Sequence, residues 1–317
     1  MHSIARSVLS AMSPGGKRGR LNIFIFHRVL TATDSMRPGE PDVHTFDRQL
    51  DCIGRLWNVL PLGEALDRLA TNTLPARAAV LTFDDGYADN ITLAGPLLQR
   101  HGLPATVFIA SGFLDGGRMW NDTVLEAVRR LPDAPLDLTD IDLERYELGG
   151  EQQRYQAAAK IISRIKYADA DRRRQVTDRL ESMVGGLPDD LMLSESQMAG
   201  AGGLGIQFGA HTVDHPILAR LNEADARREI AQGKADVEAI TGAPVDLFAY
   251  PNGKLNEDYL PRDVGLVKQA GFRAAVATNW GVASARDDVF QLPRYTPWRK
   301  DCPRFTLQMM QHYRLRG

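Results

Sequence analysis

The strongest restriction on how this chain folds is a recurrence of short apolar runs separated by helix-like stretches. The runs at 21–26, 79–83, 105–110, 206–210, 245–250 and 272–278 are rich in β-branched or aromatic residues. They are largely apolar on both faces, as strands in the middle of a parallel sheet are. Between them, 45–56, 62–70, 90–101, 223–241 and 256–270 carry helical patterns, with Gly102, Gly242 and Gly271 where helix C-caps belong. Strand–helix alternation over most of the 317 residues predicts an α/β fold with a parallel sheet. The length allows one large barrel or two ordinary domains. Stretch 114–203 breaks the rhythm: it holds helix candidates at 121–130, 151–165 and 169–184, many arginines and no convincing strand. The strand pattern resumes at 206 as though uninterrupted. We therefore read 114–203 as a helical insertion, a lid or substrate wall, in a single domain at 21–317 that follows an N-terminal tail at 1–20.

Composition narrows the function classes. A formal net charge of −2 lacks the basic surplus of a nucleic-acid binder, so the expected partner is a small or neutral ligand. The two cysteines, Cys52 and Cys302, form no CxxC pair, which excludes a zinc ribbon or a redox dithiol and predicts two free thiols. The apolar stretch at 4–12 is interrupted by Arg6 and two serines, unlike the unbroken core of a secretory leader. No run approaches the roughly 20 apolar residues of a membrane span. The expectation is a cytoplasmic chain without an integral membrane segment, with a periplasmic or membrane-associated setting left open.

The chemically interesting residues fall where predicted strands end. His27 follows 21–26, Asp84 and Asp85 follow 79–83, His211 follows 206–210, and Pro251 and Asn252 follow 245–250. In parallel α/β barrels the C-terminal rim of the strands carries the active site. Asp84-Asp85-Gly86 taken alone is an ordinary surface turn, but here an apolar strand runs directly into it. Adjacent residues on an extended chain point apart, so one carboxylate is free to bind a cation while the other acts as a base. His211 and His215, four apart, have the spacing of two imidazoles on one helical turn reaching one metal. Two histidines and a carboxylate make a standard zinc set with an open position.

Thr82-Phe83-Asp84-Asp85-Gly86, then His211-Thr212-Val213-Asp214-His215, then Phe248-Ala249-Tyr250-Pro251-Asn252-Gly253, in that order, resemble the polysaccharide deacetylase superfamily, the NodB-homology group of carbohydrate esterase family 4. The resemblance covers roughly 20–115 and 190–297 and implies a distorted (β/α)7 barrel. It implies that Asp84 is the catalytic base, that Asp85, His211 and His215 bind one divalent metal (zinc, with cobalt or nickel also fitting), and that the Asn252 N–H holds the oxyanion. Many relatives have an arginine where Ala249 stands, and Arg294 is the candidate replacement. No histidine after residue 280 follows a credible strand, His312 reading as a helix end. Permuted members take the acid histidine from the first strand, so the resemblance assigns His27 as general acid; it names no carboxylate to orient that histidine, for which Asp287 and Asp288 are the candidates. Tyr250, Pro251, Trp120 and Arg294 are expected to line the substrate. The implied activity is removal of N-acetyl groups from an amino-sugar-containing exopolysaccharide or cell-envelope glycan. An O-deacetylase, a small-amide amidohydrolase and a non-catalytic carbohydrate-binding member are the alternatives.

Overall fold

The computed structural model describes residues 2–297, 299 and 301–314. Its strands are β1 (Leu21–Phe26), β2 (Asn58–Val59), β3 (Ala78–Phe83), β4 (Ala105–Ile109), β5 (Leu136–Asp137), β6 (Arg145–Tyr146), β7 (Ile206–Ala210), β8 (Leu247–Ala249) and β9 (Ala274–Val276). The α-helices are α1 (His2–Met12), α2 (Val43–Leu56), α3 (Leu62–Ala70), α4 (Gly95–His101), α5 (Trp120–Arg130), α6 (Glu151–Ile165), α7 (Ala170–Glu181), α8 (Glu195–Gly200), α9 (Glu223–Thr241), α10 (Pro261–Gln269) and α11 (Cys302–Arg314). Gly102 and Gly242 end α4 and α9 in the left-handed conformation, at φ 63° and 64°, where the sequence led us to expect them.

The main sheet is parallel in the order β1-β3-β4-β7-β8-β9, with β2 beside the start of β3. It curls into the distorted barrel that the resemblance implied. The closing stave is the irregular segment 292–295, which joins both edges of the sheet. Leu292 donates to Ala275 O at 3.0 Å and accepts from Ala277 N at 2.9 Å, on the β9 side. Tyr295 donates to Ile23 O at 2.9 Å and accepts from Ile25 N at 3.0 Å, on the β1 side.

Strand side chains alternate between faces, and here the two faces form two separate apolar clusters. Phe24, Phe26, Leu81, Phe83, Val107, Phe248 and Tyr250 pack outward against helix residues such as Phe46 and Leu50 of α2. Leu21, Ile23, Val80, Phe108, Leu247, Ala249, Val276 and Leu292 form the other cluster with Leu62, Leu66 and Leu69 of α3. Extended one step past each strand, the inner register reaches His27, Asp84, His211, Thr278 and Arg294. The outer register reaches Tyr250. This alternation builds the site described below.

Three expectations are corrected here. Residues 2–12, part of the expected tail, form α1, with Leu9 wholly buried in the outer core and Ala5 and Met12 packed beside it. Their spacing is one helical face, which Arg6 does not interrupt because it lies on another side. The insertion contains a two-stranded antiparallel pair, β5 and β6, too short to leave a periodic signal. It also has its own apolar cluster, with Val124, Val128, Ile161, Val176 and Leu180 at its centre. Finally, Cys52 and Cys302 are a disulfide joining α2 to α11 across 250 residues, not two free thiols. No local pattern signals such a link, because it depends only on where two distant helices dock.

Cross-linking two points so far apart restricts the unfolded chain strongly. Replacing both cysteines by serine is expected to cost about 2–4 kcal/mol of unfolding free energy, measured by urea titration. Equal midpoints with and without reductant would mean the thiols are free.

Candidate active site

At the C-terminal rim of β1, β3 and β7, the inner register delivers His27, Asp84 and His211, and the loops that follow β3 and β7 add Asp85 and His215. Asp85 Oδ1 lies 3.5 Å from His211 Nε2 and 3.4 Å from His215 Nε2. The three ligand atoms are all within 4.8 Å of one another. Asp85 Oδ1 is buried and has no hydrogen-bond partner. A buried carboxylate oxygen left this way is costly unless a cation completes it. His211 Nδ1–H donates to Ala249 O at 2.7 Å, which holds the tautomer that turns Nε2 toward Asp85. Burial pushes His215 down to about 4, so its imidazole is neutral and able to ligate at pH 7. Burial opposes the charge on Asp85, but the facing imidazoles, His211 first, outweigh it and hold the carboxyl well below its usual range. These residues fit a single divalent ion bound by two nitrogens and one oxygen.

His211 to His215 is not helical: it is a loop in which Thr212 and His215 have φ of 68° and 49°. Glu229 of α9 supports it, its Oε2 accepting from Val213 N and Asp214 N at 3.0 Å each. Asp85 (φ 76°) and Asn252 (φ 59°) are strained in the same sense. Each such residue costs on the order of 1–3 kcal/mol, strain that tends to collect at functional sites. Gly86 must be glycine: at φ 85°, a Cβ there would sit 3.0 Å from Ile109 Cδ1.

Asp84 and Asp85 do not point apart as residues of an extended chain would: the strand ends at Phe83 and Asp85 is left-handed (φ 76°), which leaves both carboxylates within 4 Å of His211 Nε2, Asp84 turning also to Arg294. Its two oxygens receive Nη1 and Nη2 of Arg294, both at 2.6 Å, and Arg294 is wholly buried. Arg294 is itself held through Nε to Ala277 O at 2.9 Å and through Nη1 to Thr82 Oγ1 at 3.3 Å. Burial disfavours the Asp84 charge, yet Arg294 and then His211 outweigh it and keep the carboxyl below its ordinary value. Asp84 is thus a fixed, ionised acceptor, with Oδ2 3.9 Å from His211 Nε2.

Together with Asp84, Asp85, His211 and His215, the residues His27, Asn252, Trp120 and Thr278 line one cavity of about 300 Å³. Thr278 Oγ1 donates to Asn252 O at 2.6 Å and Thr278 N to Gly253 O at 2.9 Å, fixing the loop.

A family profile described as polysaccharide deacetylase matches residues 71–138 and 192–275. YxkH of Bacillus subtilis (strain 168), whose name puts it among the polysaccharide deacetylases, is 22% identical over 279 residues, 88% of this chain and 71% of its own. The chain carries a polysaccharide deacetylase domain, split by the insertion. The deacetylase fold is shared with PplD of Streptococcus pyogenes, solved in complex with acetate (TM-score 0.61, 20% identity, 92% of this chain and 98% of that one). IcaB from Ammonifex degensii is similar (TM-score 0.58, 20% identity, 95% and 98%).

Not every residue expected in the deacetylase site is there. Tyr250 is wholly buried on the outer face, stacked on Tyr259 with ring centroids 3.9 Å apart, because it shares the register of Phe248. Pro251 is buried outside the cavity lining. Arg294 meets Asp84, not the open cavity. Asp287 receives Ser284 N and Oγ, and Asp288 receives Phe290 N and Gln291, so neither stands by His27. Glu40 accepts Arg28 N at 3.2 Å and feels the charge of His27, as Asp84 and Asp85 do; burial raises its pKa, partly offset by His27. His312 packs on Tyr295 at 4.5 Å between ring centroids. Sequence reasoning also missed Glu229, Asn121, Lys166 and Arg173. The last three come from the insertion and line the cavity.

Proposed function

We propose that this deacetylase is a metal-dependent amide hydrolase that removes N-acetyl groups from an amino-sugar-containing oligo- or polysaccharide. The observation that carries the reading is the unpartnered, buried Asp85 Oδ1 facing two histidine nitrogens, beside an Asp84 locked by Arg294. A divalent ion on Asp85, His211 and His215, zinc by its donor set, would supply Lewis-acid activation of water and of the acetyl carbonyl. Asp84 takes the proton of the attacking water, and Arg294 keeps its oxygens ionised and oriented. The Asn252 N–H stabilises the developing oxyanion. An amine leaves poorly unless protonated, and His27 delivers that proton.

Acetate release from an N-acetylglucosamine hexamer, before and after chelation and after zinc is restored, tests the reading. We expect activity to disappear with the metal and return with zinc; full activity in the metal-free protein would remove the mechanism. Release from O-acetylated xylan alone would make the enzyme an O-deacetylase instead. His27→Ala is expected to lower turnover of the hexamer by roughly 10²-fold or more. An N-acetyl substrate with an activated aryl amine as leaving group should recover much of that loss, since it no longer needs the proton. A fully active alanine variant would send the search to another acid.

No helix among the described residues is long and apolar enough to cross a membrane. The Cys52–Cys302 disulfide favours an oxidising compartment over the cytoplasmic setting expected from the first residues. That is where an exopolysaccharide or cell-envelope glycan would be met.

A further inference from the structure

The insertion is rich in arginine, and its arginines are mostly neutralised. Arg118, Arg129, Arg130, Arg145, Arg154 and Arg164 each form an ion pair with a carboxylate. Lys166 and Arg173 differ. Both are half-buried, both line the cavity that holds Asp84, Asp85, His211 and His215, and neither makes an ion pair among the described residues. Their charged ends lie against aromatic rings: Lys166 Nζ is 5.1 Å from the Tyr167 centroid, and the Arg173 guanidinium carbon is 5.7 Å from that of Trp120.

A cation held in a partly dry cavity loses hydration without the return that a counter-ion gives. Burial accordingly lowers the Arg173 pKa, with Asp169 and Asp214 opposing but not contacting it. The carboxylates that share the cavity do not answer the need. Asp84 is matched by Arg294, and Asp85 by the divalent ion of the proposed function. Lys166 and Arg173 are therefore surplus positive charge facing the substrate space.

We infer that Lys166 and Arg173 set substrate specificity by binding an anionic group, a carboxylate or a phosphate, carried by the sugar bearing the N-acetyl group or by its neighbour. This rests on the deacetylase reading. It makes the substrate an acidic glycan whose charge is held at this wall, so that the acetyl group meets the rim. Binding of this kind acts on KM more than on kcat, because the anion is not part of the reacting amide.

Steady-state rates on three defined probes test it: an N-acetylglucosamine hexamer, a hyaluronan hexasaccharide that alternates glucuronate with N-acetylglucosamine, and a phosphodiester-linked N-acetylglucosamine oligomer. The native enzyme should favour one charged probe over the neutral hexamer by about 10-fold or more in kcat/KM, mainly through KM, and lose that preference at high salt. Which charged probe wins identifies the anion. In Lys166→Gln/Arg173→Gln the charged-to-neutral ratio should fall toward one, and Lys166→Arg/Arg173→Lys should keep it. Equal native rates on all three probes, or an unchanged ratio in the glutamine variant, overturns the assignment. If no probe is deacetylated, it is the deacetylase reading that fails. Calorimetric binding of the same three probes then judges the cations alone: equal affinity for neutral and charged glycans overturns them.

Discussion

Asp84→Asn should retain its divalent ion and lose turnover by about 10⁴-fold, at the upper end of what one general base contributes. The amide is isosteric but binds a proton far more weakly, so water attack loses its acceptor while the cavity keeps its shape. On the proposed function the metal stays, because Asp84 is bonded to Arg294, whereas Asp85 faces the two imidazoles. His211→Ala makes the contrast, since it removes a ligand together with the tautomer lock on Ala249, and should lose both ion and activity. Metal content by mass spectrometry, with acetate release on the same samples, separates the two. An empty site in Asp84→Asn would mean that the neighbouring aspartates share or exchange their roles.

Arg294→Met should be the most destabilising single change near the site, by about 3–5 kcal/mol, because it strands a buried carboxylate without its counter-ion. Both of its hydrogen bonds to Asp84 are lost, and so is the link from β3 through Thr82 to the closing stave. Turnover should fall as well, since a carboxylate that turns or protonates is a poor base. Urea unfolding measures the first effect. The cycle with Asp84→Asn decides its cause: the double variant Asp84→Asn/Arg294→Met should be more stable than Arg294→Met alone, because a neutral amide no longer demands a cation. If the double variant is the less stable, the loss comes from packing at 292–295 and not from an unpaired charge.

The strand register explains why some of the site was legible and some was missed. Once β1, β3, β7, β8 and β9 are known as strands, a period of two puts His27, Asp84, His211 and Thr278 on one side. The same count puts Tyr250 with Phe248 on the outside, so its expected place at the substrate contradicted information the sequence already held. The spacing of His211 and His215 was readable but its geometry was not. It works through a loop strained at Thr212 and held by Glu229, a residue of α9 with no motif around it.

The sequence alone determined the parallel α/β barrel, the rim on which chemistry collects, and the residues that make the carboxylate–imidazole cluster. The parallel α/β fold and the rim follow from local periodicity and from side chains at strand ends; the barrel and the roles within the cluster follow from the resemblance that the motifs carry. Tertiary structure decided what depends on contacts between distant segments. The barrel closes through 292–295, which has no strand pattern yet bonds to β9 and β1. Arg294 reaches Asp84 across 210 residues, supplying from the last stave a cation absent at Ala249. Cys52 meets Cys302 only because α2 and α11 dock side by side. Lys166 and Arg173 stand over the site only because the insertion folds back on the rim. Periodicity reports which way a side chain points from its own strand or helix; which distant charge it meets is set by how those elements pack.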